Sequence, residues 1–297
     1  MCTSQGSSSG RSILLSPNVW ELDLIDKVAV ISGASRGIGR AIAFNLASRG
    51  CSVLGACTGE SGVKALSCDL NDEVSRRVFE AASKERPQSL KIKGLIADIF
   101  SNDCANTIAN EVNDSFDGRV DIFINSTSDN MPGVIGDMET DHVQNSLLGN
   151  IQTPVMIVEE FVRRRYFQLD SRIIYISFIR SRQPWSDQLI YAAGKSAGES
   201  LCRTWAQAFG GKDERYSSMA GTTANAVTVG LTQTEAVANC GPEAVKRFQD
   251  EFFPTQSIPR FGQAEDVADV VGLLCGRDAR WITGCVISAS GGGIKIG

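Results

Sequence analysis

Residues 28–43 constrain this chain more than any other stretch: Val28-Ala29-Val30-Ile31-Ser32-Gly33-Ala34-Ser35-Arg36-Gly37-Ile38-Gly39-Arg40-Ala41-Ile42-Ala43. An apolar, β-branched run passes through three glycines into a segment with helical spacing. That is the pattern of a buried parallel strand turning into a helix whose first N–H groups can hold a phosphate. Gly33 permits the tight turn, Gly37 removes a Cβ where a pyrophosphate must approach the backbone, and Gly39 lets helix and strand pack closely. Ser35 and Ile38 fill the turn between them. The spacing is G-x-x-x-G-x-G, not the commoner G-x-G-x-x-G.

The next segments decide which cofactor such a turn would suit. Ala41 to Ser48 reads as helix closed by Gly50, and Ser52 to Ala56 as a second strand. An acidic residue at the end of that strand would bind both ribose hydroxyls of NAD and repel a 2′-phosphate. Here the strand runs into Cys57-Thr58, and Glu60 follows only after Gly59. Arg36, inside the turn, offers a guanidinium to a phosphate. Together these favour NADPH over NADH. Further strands are expected at Lys93–Ile99, Val120–Asn125, Arg172–Phe178, Ala224–Gly230 and Trp281–Ser288, alternating with helical segments. Alternation of this kind predicts an α/β, doubly wound parallel sheet in a single domain over residues 25–297. Asp98, at the end of the third strand, is a candidate adenine contact, its alternative being a cap for a helix from about Asp103.

Composition narrows the function. A net charge of -5 over 297 residues argues against a nucleic-acid surface. Nine scattered cysteines, none in C-x-x-C spacing, and a single histidine, His142, give no support for a metal site and suit reduced thiols in a cytoplasmic protein. No run approaches the length of a membrane helix. Residues 1–24 are expected to be a flexible tail: the first 20 are rich in serine and glycine, with Arg11 as their one charge. The lack of acidic residues before Glu21 leaves an organelle transit peptide as the alternative.

Chemistry enters in the second half. From His142 to Phe167 the pattern is helical, with Leu147, Leu148, Ile151, Val155, Val158 and Val162 at core spacing and Asn150 among them. A buried amide there needs partners. Tyr191 and Lys195 stand four apart at the start of another helix, so both lie on one face. A lysine ammonium beside a phenol favours the phenolate and brings an otherwise poor acid–base group toward neutral pH. Such a pair suits protonation of a carbonyl oxygen while hydride arrives at carbon. Trp185 lies in the loop before this helix. Residues 235–258, broken by Gly241-Pro242 and Pro254, read as a mobile lid.

From about Asp26 onward the chain resembles the short-chain dehydrogenase/reductase family, most of all its β-ketoacyl carrier-protein reductase branch. The resemblance rests on Ser32 to Gly39, Val53 to Thr58, Asp98-Ile99, Asn150, Tyr191 with Lys195, Asn225-Ala226-Val227, Arg260-Phe261-Gly262, and Ile282-Thr283-Gly284 with Gly291-Gly292. It implies a seven-stranded, Rossmann-type sheet, NADP(H) as cofactor, a small-molecule substrate and a homodimer or homotetramer. It also implies that Arg36 and Thr58 contact the 2′-phosphate, Asp98 and Ile99 the adenine, and Thr232 and Thr234 the carboxamide and pyrophosphate. Asn125 would line the cofactor turn. Tyr191 would be the acid–base residue, Lys195 its helper at the nicotinamide ribose, and Asn150 the anchor of a relay water.

Three departures stand out. Phe178 occupies the place of the family's catalytic serine, and the adjacent Ser177 points to the other face of its strand. The family's Asn-Asn-Ala-Gly reads Asn125-Ser126-Thr127-Ser128, and its Pro-Gly after the sixth strand reads Val229-Gly230. Losing one donor to a developing oxyanion costs on the order of 10²–10³ in rate, and Ser181, Ser186 or Thr127 would have to replace it. The expected activity is therefore an NADPH-dependent ketone reductase with an altered substrate end. Phe178 and Trp185 would line a pocket for a bulky natural-product substrate. The alternative is a non-redox cyclase or isomerase on the same NADP-binding scaffold.

Overall fold

The β-branched and apolar runs form seven strands: β1 (Val28–Ser32), β2 (Ser52–Cys57), β3 (Ile92–Ile96), β4 (Val120–Asn125), β5 (Phe167–Phe178), β6 (Thr223–Val229) and β7 (Val286–Ala289). The computed structural model describes residues 21–80, 83 and 85–296, and in it these strands make one sheet in the order β3-β2-β1-β4-β5-β6-β7. Every pairing is parallel. Strands buried on both faces must be nearly continuous apolar runs, as β1, β2 and β4 are. Helices Gly37–Ser48 and Ala264–Cys275 cover one face, and Cys104–Phe116, Thr153–Arg163 and Leu189–Phe209 the other. The single-domain, doubly wound, seven-stranded sheet expected from the sequence is the fold observed.

The strand order reverses between β1 and β4, where Ser32 pairs with Asn125. Connections leave these two strands in opposite directions, which opens a crevice at their carboxyl ends.

Several boundaries differ from expectation, each for a local reason. β3 ends at Ile96, so Asp98 lies beyond it in a turn, where its Oδ1 accepts from the Phe100 amide at 3.0 Å. β5 begins five residues early because Phe167 pairs with Val120; Asp170, at φ 57°, then lets the register shift before Arg172 meets Ile122. β7 is shorter than expected, and Trp281 sits outside it, 94% exposed.

The helix over 140–163 carries a π-helical turn at Leu148–Gln152. Its inward face presents Ser146, Gly149, Asn150, Ile157, Val158 and Phe161, whereas Leu147 is exposed. Small and polar residues face inward because the neighbouring helix passes so near that a Cβ on Gly194 would lie 2.8 Å from that of Asn150.

Residues 21–24, assigned by the sequence to the tail, pack on the domain. Leu24 is buried, its amide donates to the Arg49 carbonyl at 3.0 Å, and Asp23 pairs with Arg49. The expectations for residues 1–20 lie outside the described residues. In the segment expected to form a lid, the structure places helices at Glu235–Ala238 and Pro242–Phe252.

Candidate active site

The glycine turn has the geometry its spacing implies. Gly33 adopts φ +70°, and a Cβ there would collide with the Thr127 hydroxyl from the loop after β4. A Cβ on Gly39 would run into the Gly33 carbonyl, so only glycine lets the helix start this close to the strand. Arg36 stands at the N-cap of helix Gly37–Ser48 without a side-chain cap, and no acidic residue occupies the first turn. The first N–H groups are thus left to a ligand, and the helix dipole favours an anion. Thr58 is exposed at the end of β2, and no carboxylate side chain terminates that strand.

One cavity of about 870 Å³ runs along the carboxyl ends of the strands. It is lined by Gly33, Ser35, Arg36, Gly37, Ile38 and Gly39 from the turn, by Thr58 and Ile99 on one side, and by Thr232 and Thr234 on the other. Tyr191, Lys195, Phe178 and Trp185 line its far end. Cradle and Tyr–Lys pair therefore share one space.

Three expected site residues do not line that cavity. Asp98 is exposed and bound to its own turn. Asn125 accepts from the Ser32 hydroxyl at 3.1 Å and reaches the Thr127 carbonyl at 3.4 Å. Ser32 Oγ in turn accepts from the amides of Ser126 and Thr127. Asn150 is buried, and its side chain clasps the backbone of Asp129, donating to the carbonyl at 2.9 Å and accepting from the amide at 2.8 Å. Its second amide proton goes to Ser146 Oγ, and the Tyr175 hydroxyl donates to its backbone carbonyl at 3.1 Å. The polar groups expected to serve the cofactor turn and a relay water are bonded to the loop that follows β4.

That loop brings Ser128 to Tyr191. Burial pushes the Tyr191 phenol well above its ordinary value, and a hydrogen bond with the Ser128 side chain is the one contribution that lowers it. The lowering expected from Lys195 is absent, because the lysine is buried too. Its Nζ donates to the Ile176 carbonyl at 2.8 Å and lies 5.4 Å from the Tyr191 ring centre. Desolvation brings Lys195 from 10.5 down to about 7. The protein alone thus holds a neutral phenol, the form that can give a proton to a carbonyl oxygen.

The lysine has a consequence for stability. Its folded pKa lies below its unfolded one, so between about pH 7 and 10.5 the unfolded chain carries a proton that the folded chain lacks. Stability rises with pH wherever that holds. The Tm of the ligand-free protein should therefore climb more steeply from pH 7 to 9 than that of Lys195→Met; equal slopes would refute the assignment.

Phe178 is half-buried with its ring centre 5.9 Å from that of Tyr191. Ser177 is turned away, its hydroxyl donating to Glu199 at 2.7 Å beneath helix Leu189–Phe209. Ser181 donates to the same carboxylate at 2.8 Å, and Ser186 to Asp187 at 2.9 Å. Ser128, named in the sequence only as part of an altered turn, and Arg180, not named at all, also line the cavity. The altered turn was the one signal for Ser128, and Arg180 carries none, since each arrives from a loop whose course depends on the whole sheet.

A parallel sheet of this order with a glycine cradle and a Tyr–Lys helix at its carboxyl end defines a nucleotide-dependent oxidoreductase scaffold. Residues 33–293 match the family model described as "Enoyl-(Acyl carrier protein) reductase", and the chain belongs to the short-chain dehydrogenase/reductase family. Among curated relatives, the short-chain dehydrogenase/reductase FrzI of Cladobotryum sp is 29% identical, the match covering 92% of this chain and 98% of that one. The 3-oxoacyl-[acyl-carrier-protein] reductase FabG of Haemophilus influenzae is 27% identical over 90% and 97% of the two chains. A short-chain dehydrogenase/reductase from Serratia marcescens superposes with a TM-score of 0.73 at 27% identity, covering 91% of this chain and 98% of that one. A blue fluorescent protein from a metagenomic library, solved in complex with NADPH, gives 0.76 at 25% identity, with 92% and 100% covered.

Proposed function

We propose that this protein is an NADPH-dependent ketone reductase whose substrate end has been rebuilt. The observation that carries the reading is the sharing of one cavity by the phosphate cradle, with no carboxylate ending β2, and the Tyr191–Lys195 pair. NADPH bound in the cradle supplies the hydride. The N–H groups at Gly37 and the Arg36 guanidinium hold phosphate, and Thr58 leaves room for it where a carboxylate would repel it. Tyr191 gives its proton to the carbonyl oxygen, and Lys195, once charged, steadies the phenolate that remains. Ser128 takes over the hydrogen bond to the carbonyl oxygen that Phe178 cannot make. Asn125 and Asn150 act at one remove by fixing the loop that carries Ser128. Phe178 and Trp185 shape an apolar pocket, which suits a bulky natural-product ketone. Assembly as a homodimer or homotetramer and a cytoplasmic location belong to the same reading.

The direct test is ketone-dependent oxidation of NADPH by the purified protein across a panel of aryl and alicyclic ketones. Tight NADPH binding without turnover of any of them would sink the proposal, and turnover of a substrate without NADPH would favour a non-redox isomerase or cyclase. Cofactor choice has its own check. Charge-assisted hydrogen bonds contribute on the order of 1.5–3 kcal/mol, and Arg36 is solvent-exposed, so the low end applies. Arg36→Ala is expected to raise KM for NADPH about tenfold while leaving KM for NADH nearly unchanged. Equal effects on both cofactors would show that Arg36 does not meet the 2′-phosphate.

A further inference from the structure

We propose that Arg180 is an anion receptor in the substrate end of the cavity, so that the ketone reduced here carries a carboxylate on an apolar, ring-bearing body. The inference rests on the reductase reading above and names its substrate class.

Arg180 sits in the short turn Ile179–Ser181 directly after β5, two residues beyond Phe178. It is only 4% exposed, yet it lines the cavity. Its guanidinium lies 3.9 Å from the Trp185 ring centre and 4.8 Å from that of Phe252. Among the described residues its polar pairing is incomplete: Nη2 donates to Glu251 at 3.0 Å, Nη1 makes no hydrogen bond, and buried Nε has no partner. Burial lowers its pKa, but a guanidinium stays charged at any physiological pH. A largely buried cation with a buried donor unpaired is costly unless something completes it.

Glu251 completes it poorly, because that carboxylate is 42% exposed and makes a single contact. A second guanidinium, Arg247, lies 5.7 Å from the opposite party in the stack, the Trp185 ring centre, and also lines the cavity. Arg247 is exposed, so it adds positive charge at the edge of the same cavity rather than a second buried cation. Planar, forked donors match a carboxylate, and flanking aromatic faces match a flat apolar body. The acidic side chains of the cavity do not fill this role. Asp129 Oδ1 accepts from the Met131 amide, Asp187 Oδ1 from the Ser186 hydroxyl, and Glu235 follows Thr234 at the cradle end.

The test compares 4-benzoylbutyrate with its methyl ester as substrates and reads the acid-to-ester ratio of kcat/KM. Arg180→Gln should lower that ratio at least tenfold. Glu251→Gln removes the competing carboxylate and should raise it. Arg247→Gln, an exposed position tolerant of change, should lower it about threefold and keeps the test available if the Arg180 variant does not fold. An unchanged ratio in Arg180→Gln and Arg247→Gln overturns the proposal. So does a fall in Glu251→Gln, because the Arg180–Glu251 pair would then be a latch holding the helix Pro242–Phe252. If the wild type reduces neither ketone, the reductase reading fails on these substrates, and calorimetry on the NADP-loaded protein decides the receptor separately. Acid binding that is lost in Arg180→Gln and tightened in Glu251→Gln supports it; equal binding of acid and ester overturns it.

Discussion

Tyr191→Phe is expected to lower kcat for ketone reduction by about 10³-fold or more, while NADPH still binds with nearly wild-type affinity. General acid catalysis contributes on the order of 10²–10⁴, and no other acid lies in position to replace this one. Ser128 is a hydroxyl with no tendency to ionise near neutrality. Lys195 is spent on the Ile176 carbonyl and shifted to about 7. The substitution removes one oxygen and keeps the ring that packs 5.9 Å from Phe178, so the fold should be unaffected. Burial raises the phenol's pKa, which also sets a direction. A group that holds its proton is in the protonation state that reduction needs and in the wrong one for alcohol oxidation. Reduction should therefore stay level through neutral pH, with oxidation rising only in alkaline solution. Stopped-flow measurement of NADPH oxidation, with binding followed by nicotinamide fluorescence, reads both quantities. Turnover that survives in Tyr191→Phe would remove the phenol from the chemistry and leave the non-redox reading standing.

What could be read from the chain beforehand was whatever is local. Strand β1, its glycine turn and the following helix are specified within 16 consecutive residues, and Gly33 and Gly39 make the turn and the close approach their positions require. Tyr191 and Lys195 were legible for the same reason, since a spacing of four on a helix fixes a shared face. The misses are matters of closure between distant segments. Asn150 looked like a group reaching into the site, because its sequence context says nothing of Asp129, whose backbone consumes its amide. The apolar spacing around it was misread because a π-helical turn at Leu148–Gln152 and the close approach of Gly194 select small residues, not large ones, for the inner face. Asp98 was placed on a strand that ends two residues earlier. Arg180 was invisible, since a lone arginine after a strand gives no hint that two rings will enclose it.

The sharpest case is the hydroxyl that the resemblance expects where Phe178 stands. Of the substitutes a sequence reading offers, Ser181 and Ser186 already donate to Glu199 and Asp187, and Thr127 Oγ1 is packed over Gly33. Ser128 alone of these hydroxyl residues bears on the Tyr191 phenol, as the one influence that lowers its pKa, and the resemblance places it where the family's turn ends in a glycine. On our proposal one change removes a donor from β5 and another adds a donor from the loop after β4, and both residues line the same cavity. If the two are compensating, their effects cannot add. Ser128→Ala is expected to lower kcat by about 10²–10³-fold, the usual cost of one oxyanion donor. Phe178→Ser in the otherwise native chain should change kcat by no more than a fewfold, because the donor it restores is already supplied. Placed on top of Ser128→Ala, the same substitution should recover at least tenfold. A Ser128→Ala variant within twofold of wild type would exclude the loop serine as donor. A double variant no better than Ser128→Ala would show that the two positions do not share one oxygen. Recovery confined to the double variant is the signature of a donor moved from a strand to a loop, which is how a reductase can keep its acid and its cofactor cradle while giving β5 over to an aromatic pocket wall.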